Sequence, residues 1–259
     1  MPSSPKLFDA HFHIIDPAFP LQENQGYLPD PFLIEEYSQW RKLLGIKGGA
    51  LVSGSFQGFD TSYMENALQK LGSGFVGVIQ APLTIADEEI MRLDALGVRA
   101  IRFNIKRGLE TSLKDLEALS RRVYDLASWH VELYIDSTEL SPWVPLLKTL
   151  PATSLDHLGL SQEGLPILLS LVSQGIKVKA TGFGRVNFEV LPVLKQIYQE
   201  NSEALLFGTD LPSTRAKRPF SPEDLQLIQE NFSEEAIERI LWKNSVAFYR
   251  PVFNASQSL

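Results

Sequence analysis

Two imidazoles separated by one residue, in Asp9-Ala-His11-Phe-His13, are the first groups along the chain that can do chemistry. They fall within an apolar run from Leu7 to Ile15, and side chains along a strand alternate in direction, so both rings are expected on one face. The chain has only four histidines and spends two of them here. An imidazole accepts a proton, donates one or ligates a cation, so the pair admits both acid-base and metal chemistry. Further on, His157 stands between Asp156 and Gly159, and Asp210 closes Gly208-Thr-Asp210. Three imidazoles and a carboxylate can hold one divalent ion or form a general acid-base cluster; the residue types leave both open.

Bringing such distant positions together requires a scaffold. Short β-branched or alternating runs take turns with stretches of helical period, which is the pattern of repeated βα units and a parallel sheet. Strands are expected at 7–15, 49–55, 75–81, 99–105, 130–136, 152–158, 176–182 and 204–210. Helices are expected at 32–44, 61–71, 86–96, 112–129, 187–200 and 222–249, with shorter, proline-punctuated ones at 139–150 and 163–174. Eight such units in 259 residues give the count and size of a closed (β/α)8 TIM barrel, one domain spanning 1–259. An open doubly wound sheet would usually carry a Gly-rich phosphate turn after its first strand, where this chain has histidines.

In a parallel barrel every strand's C-terminal end opens on the same mouth, where the chemistry is kept. His11, His13, Ser53, Ser55, Arg102, Asn104, Tyr134, Asp136, His157, Lys179, Thr181 and Asp210 are thereby expected to face one opening. His130, at the start of its strand, falls at the other end and reads as structural. Lys179 receives no role. Ser221-Pro222 reads as a helix start, and 254–259 as a frayed tail.

Composition sets outer bounds. With 44% hydrophobic and 21% charged residues the chain is ordinary for a soluble domain. The lack of cysteine removes disulfides, thiolate ligands and thiol nucleophiles, so any metal must be held by nitrogen and oxygen. No apolar run reaches bilayer length and the first residues lack a secretion pattern, which makes the cytoplasm the expected location. A net charge of −7 argues against nucleic-acid binding, while a locally basic pocket could still take an anionic small molecule. A monomer or homodimer is expected.

The ordered motifs resemble the amidohydrolase superfamily, in particular its branch of 2-pyrone-4,6-dicarboxylate lactonase and related sugar and muconolactone lactonases. They are Asp9-Ala-His11-Phe-His13, Ser55-Phe-Gln-Gly58-Phe-Asp60, Gly97-Val-Arg-Ala-Ile-Arg102-Phe-Asn104, His130-Val-Glu-Leu-Tyr134, Asp156-His157-Leu-Gly159, Lys177-Val-Lys179-Ala-Thr-Gly182 with Arg185, and Gly208-Thr-Asp210-Leu-Pro212. The resemblance implies ring opening of a lactone by water, with Asp210 as base and His11, His13 and His157 polarising the carbonyl directly or through one ion. It implies that Arg102, Arg107, Arg185, Tyr134, Ser55 and Tyr27 hold substrate carboxylates or hydroxyls.

It also implies either no cofactor or one divalent cation, zinc or manganese, on His11, His13, His157 and Asp210. A two-metal site is excluded, because Arg102 and Tyr134 stand where metal-rich members carry lysine and histidine. The chain departs from the pattern at Leu211-Pro212-Ser213, where relatives often carry Asp-Trp-Pro and then histidine, and in a shorter segment at Arg107. The alternative function is a mononuclear metal-dependent amidohydrolase or decarboxylase acting on an aromatic or cyclic acid. A non-catalytic binding barrel finds no support, because base and histidines are all present. Without the histidines Asp210 would read as a helix cap, and each arginine reads equally as an ion-pair partner.

Overall fold

Eight short runs of small and branched residues form the strands, as described by a computed structural model covering residues 5–108 and 112–254. These are β1 (Leu7–Phe12), β2 (Ile46–Val52), β3 (Phe75–Ile79), β4 (Val98–Phe103), β5 (His130–Leu133), β6 (Thr153–Leu155), β7 (Lys177–Ala180) and β8 (Leu205–Phe207). All neighbouring pairs are parallel, in the order β1 to β8. The edges meet just beyond the last strand: Asp210 N–H donates to His11 O and His13 N–H to Leu211 O, each at 2.7 Å. A Cβ at Gly208 would lie 2.6 Å from the His11 nitrogen, so glycine is what lets the two edges approach. The result is the expected TIM barrel. Most of the expected tail, 255–259, and the first four residues lie outside the described residues.

One extra residue interrupts the β1 register: Asp9 pairs with Gly49 but Phe12 with Leu51. This bulge changes the inward-outward parity of β1. Phe8 and Ala10 belong to the apolar cluster inside the barrel, and Phe12 stacks outside on Tyr37 of α1 (Ile34–Leu44) at 3.8 Å. Asp9 is fastened outside as well, by Thr209 N–H and Oγ1–H (2.8 Å each) and Tyr37 O–H (3.2 Å). Burial outweighs these donors and pushes its carboxyl up to about 6.

Between strands run α2 (Ser62–Leu71), α3 (Asp87–Ala95), α4 (Leu113–Ala127), α5 (Val144–Leu147), α6 (Leu165–Val172) and α7 (Val190–Glu200). Their apolar faces and the outward strand residues make the main core. Helix α5 is one turn of the expected 139–150, because Pro142 and Pro145 remove donors and leave flanking 3-10 turns. The expected helix 222–249 is broken into α8 (Pro222–Asn231), α9 (Glu234–Glu238), a π turn (Arg239–Lys243) and α10 (Asn244–Tyr249). Phe232 is extended, and Ser233 Oγ accepts from Ala236 N–H at 3.3 Å, starting a new helix. Pro222 opens α8 as expected.

Every strand stops short of its expected C-terminal end. His13, His157 and Asp210 therefore sit on the loops immediately after β1, β6 and β8.

Candidate active site

At the base of the mouth, His11, His13, His157 and Asp210 converge and are all buried. One Asp210 oxygen lies 3.9 Å from His11 Nε2 and 4.0 Å from His13 Nε2. The His11 ring centre is 5.0 Å from that of His13 and 4.9 Å from that of His157. Local backbone geometry makes this possible. Asp210 (φ 61°) and His157 (φ 51°) both adopt left-handed conformations, which are costly for residues with a Cβ and turn each side chain into the ring. At Gly182 a Cβ would fall 2.7 Å from His157 Nδ1, so glycine leaves room for the imidazole.

Each group has a defined partner. His13 Nδ1–H donates to Val52 O at 2.7 Å, and His157 Nδ1 is 2.7 Å from Thr181 Oγ1. Arg185 grips Asp210 with two bonds, Nε to Oδ2 at 2.6 Å and Nη2 to Oδ1 at 2.9 Å. His11 Nε2, by contrast, is buried without a hydrogen-bond partner and faces Asp210. Burial raises the Asp210 carboxyl above its ordinary value against the pull of Arg185. Burial lowers His13 to about 3, with Arg102 adding to the effect, and puts His11 and His157 well below the usual imidazole range. Burial thus favours the neutral form of all three rings.

Below the rings the barrel interior is polar where layers of Val, Ile and Leu are usual. Arg102 donates twice to Asp156 Oδ2, at 3.0 and 2.7 Å, and once to Ser53 O at 2.9 Å. Lys179 bonds to Glu132 and lies 3.5 Å from Asp156 Oδ1 and 3.1 Å from His11 Nδ1. Glu132 also accepts from Tyr249 O–H at 2.6 Å and lies 3.2 Å from His130 Nε2. Burial opposes ionisation of Asp156, yet Arg102, Lys179 and His11 hold it well below the carboxylate range.

Above the rings a narrow cavity is lined by His13, Ser55, Phe56, Arg102, Asn104, Arg107, Tyr134, His157, Arg185 and Arg215, among others. Tyr134 spans its wall, with Arg102 and Arg107 at 5.2 and 5.4 Å from its ring centre and Arg107 Nη2 3.1 Å from its hydroxyl. Asn104 Oδ1 is buried without a partner. An outer basin shares Arg107, Tyr134, Arg185 and Arg215 and adds Lys106, Asp136 and Lys217.

Of the residues expected at the mouth, Ser55, Arg102, Arg107, Tyr134 and Arg185 line the cavity. Arg102 and Arg185 are also committed to buried carboxylates. Tyr27 stands at the rim against Arg215, 4.5 Å from the guanidinium. Ser53 is turned away and bonds Tyr63 O–H at 2.7 Å. Sequence reasoning missed Arg215, although a cation five residues past Asp210 was a usable signal. It also missed Glu132, whose signal was charge in the middle of a barrel strand; Lys179, expected to face the opening without a role, lies in the interior against Glu132, Asp156 and His11.

His11, His157 and Asp210 offer ligand atoms within 4.8 Å of one another, as do His11, Glu132 and Asp156, so groups able to hold a metal exist.

A barrel with histidines after β1 and β6 and a buried aspartate after β8 defines a class of hydrolytic enzymes. The amidohydrolase family model matches residues 8–250, and the chain belongs to that family. It is 28% identical over 248 residues to 2-pyrone-4,6-dicarboxylate hydrolase of Comamonas testosteroni, covering 85% of this chain and 81% of the relative. It is 24% identical over 227 residues to 4-sulfomuconolactone hydrolase of Rhizobium radiobacter, covering 79% and 75%. A probable 2-pyrone-4,6-dicarboxylic acid hydrolase from Acinetobacter baumannii, solved with citric acid bound, superposes with TM-score 0.83 at 23% identity over 95% of this chain and 99% of that one. An amidohydrolase from Burkholderia multivorans with zinc bound superposes with TM-score 0.73 at 12% identity, covering 95% and 99%.

Proposed function

We propose that the protein hydrolyses a lactone bearing more than one negative charge, with Asp210 as general base and without a resident metal. The observation that carries this reading is the pair of gaps, 3.9 and 4.0 Å, from one Asp210 oxygen to His11 Nε2 and His13 Nε2. Both are too long for direct hydrogen bonds and suit a bridging water. Asp210 takes a proton from that water as its oxygen bonds to the lactone carbonyl carbon. Arg185, the buried Arg102 guanidinium and His157 offset charge developing on the carbonyl oxygen. When the ring C–O bond breaks, the leaving oxygen takes the proton from Asp210, giving a ring-opened hydroxy acid or its tautomer.

The donor chemistry supports water activation without a cation. Both Asp210 oxygens lie in the Arg185 fork, and Arg102, Arg185 and Lys179 already supply buried positive charge that a divalent ion would have to face. Metal-stripped protein is expected to keep its activity in excess chelator. Loss of activity that is restored by zinc or manganese would transfer the reading to the metal-dependent alternative.

Charge supports the substrate class. Although the chain carries −7 overall, its two cavities are lined by Arg102, Arg107, Arg185, Arg215, Lys106 and Lys217. Guanidinium forks suit planar carboxylates, and the same basic surface suits sulfonates. The family relatives named above act on a dicarboxylated pyrone and a sulfonated lactone. A panel of neutral, singly and doubly anionic lactones should show turnover rising with anionic charge. Arg215→Ala, at the rim, is expected to raise KM for dianionic substrates about tenfold and leave kcat within about twofold, the pattern of lost uniform binding. An unchanged KM would remove Arg215 from substrate binding.

A further inference from the structure

We infer that His11 and His13 are held in opposite neutral tautomers, and that Lys179 is the positioning residue that sets the tautomer of His11. His13 is fixed by the Val52 carbonyl, which can only accept, so Nδ1 carries the proton and Nε2 presents a lone pair. His11 meets the reverse situation. Its Nδ1 lies 3.1 Å from Lys179 Nζ, and an ammonium can only donate. The rival partner, Asp156 Oδ1, is half an ångström farther, at 3.6 Å.

Lys179 is aimed by its surroundings. It is fully buried, donates to Glu132 Oε2 and His11 Nδ1, and lies 3.5 Å from Asp156 Oδ1, which has no hydrogen-bond partner of its own among the described residues. Glu132 is itself held by Tyr249 O–H, which packs above β1 with its ring stacked on Phe8 at 5.4 Å. A chain of contacts from α10 through β5 and β7 thus ends on one ring nitrogen of β1. With Nδ1 accepting, the single proton of neutral His11 sits on Nε2, the buried atom left without a partner.

Two imidazoles on the same face of one strand therefore present unlike atoms to Asp210, a donor from His11 and an acceptor from His13. A water between them accepts from His11 Nε2–H and donates one hydrogen to Asp210 and one to His13 Nε2. One lone pair is left for the substrate carbonyl carbon, so the water has a single productive orientation. Like tautomers would leave two donors or two acceptors and lose that selection. The catalytic use of the pair rests on the proposed role of Asp210; the tautomers are a property of the resting protein.

The test uses the whole protein labelled with ¹⁵N-histidine, whose four histidines are assigned by single replacements, in long-range ¹H–¹⁵N spectra at neutral pH. His11 should be protonated at Nε2 and bare at Nδ1, and His13 the reverse; any other pattern, including an imidazolium at either ring, overturns the inference. In the folded Lys179→Met/Glu132→Gln protein, which leaves no unpaired charge at either position, the His11 proton should move to Nδ1. There kcat should fall about ten- to a hundredfold with KM unchanged. A His11 ring still protonated at Nε2 in that variant removes Lys179 from the role, whatever becomes of the rate.

Discussion

Replacing Asp210 by asparagine is expected to leave a folded barrel and lower kcat by about 10³-fold, since the amide cannot take the proton from water. Arg185 would lose its charged partner, yet it stays near Tyr134 and the open cavity, where water can reach it. Circular dichroism and a melting curve close to the parent's, together with absent ring opening, meet the expectation. Turnover at the parental rate in Asp210→Asn would end the proposed mechanism. The same carboxyl sets the acid side of the pH profile. Burial raises it above the ordinary carboxylate value, and the base must be ionised to work. Activity should therefore rise with pH through a midpoint above that of an exposed aspartate. Arg185→Met removes the main opposing influence, so it should move that midpoint higher still.

The second large effect is on stability. Arg102→Met strips Asp156 of its two-bonded partner and leaves Lys179 as its nearest cation, at 3.5 Å. Breaking a buried pair from one side costs about 3–5 kcal/mol. The loss should appear as a lower urea midpoint, and Arg102→Met/Asp156→Asn should recover a large part of it. In the parent, Asp156 ionises well below its unfolded value, so its stabilising contribution is present at neutral pH and fades as pH falls through that depressed value. The deficit of the single variant should accordingly narrow in acid, where the stranded carboxyl takes up a proton. A double variant as unstable as the single one would show that packing, rather than charge, accounts for the loss.

The barrel could be read from the chain because its period is short and repeated. All eight strands and most helices fall where local pattern places them. Strand ends were less legible. His13, His157 and Asp210 look like strand residues by composition, yet they lie past the strand ends, His157 and Asp210 with a left-handed backbone. Likewise the helix expected at 222–249 has an unbroken apolar period, and only Ser233 acting as a cap reveals the break. The four central side chains were legible as a set, since residue type and strand-end position agree.

The partners of those four were hidden. Nothing local in His130-Val-Glu132 tells that the glutamate turns inward, and nothing in Lys177-Val-Lys179 tells which carboxylates the inward lysine meets, because both depend on strands far apart in the chain. Arg185 and Arg102 were expected to wait for substrate, and the fold instead engages each with a buried aspartate. The bulge in β1 also escaped notice, although it is what turns Asp9 toward Thr209 while His11 faces the interior.

The seam between β1 and β8 has a bearing on how the polypeptide is made. Asp9 and Thr209, which clasp each other there, are 200 positions apart. The nitrogen bases emerge from the ribosome at the outset, and the carboxylate that completes the set arrives with the eighth strand. A nascent chain halted at β7 would carry His11, His13 and His157 and still lack both the proton acceptor and the clasp that holds it. If Asp210 is the base proposed above, partly synthesised or C-terminally clipped barrels should be inert rather than promiscuous.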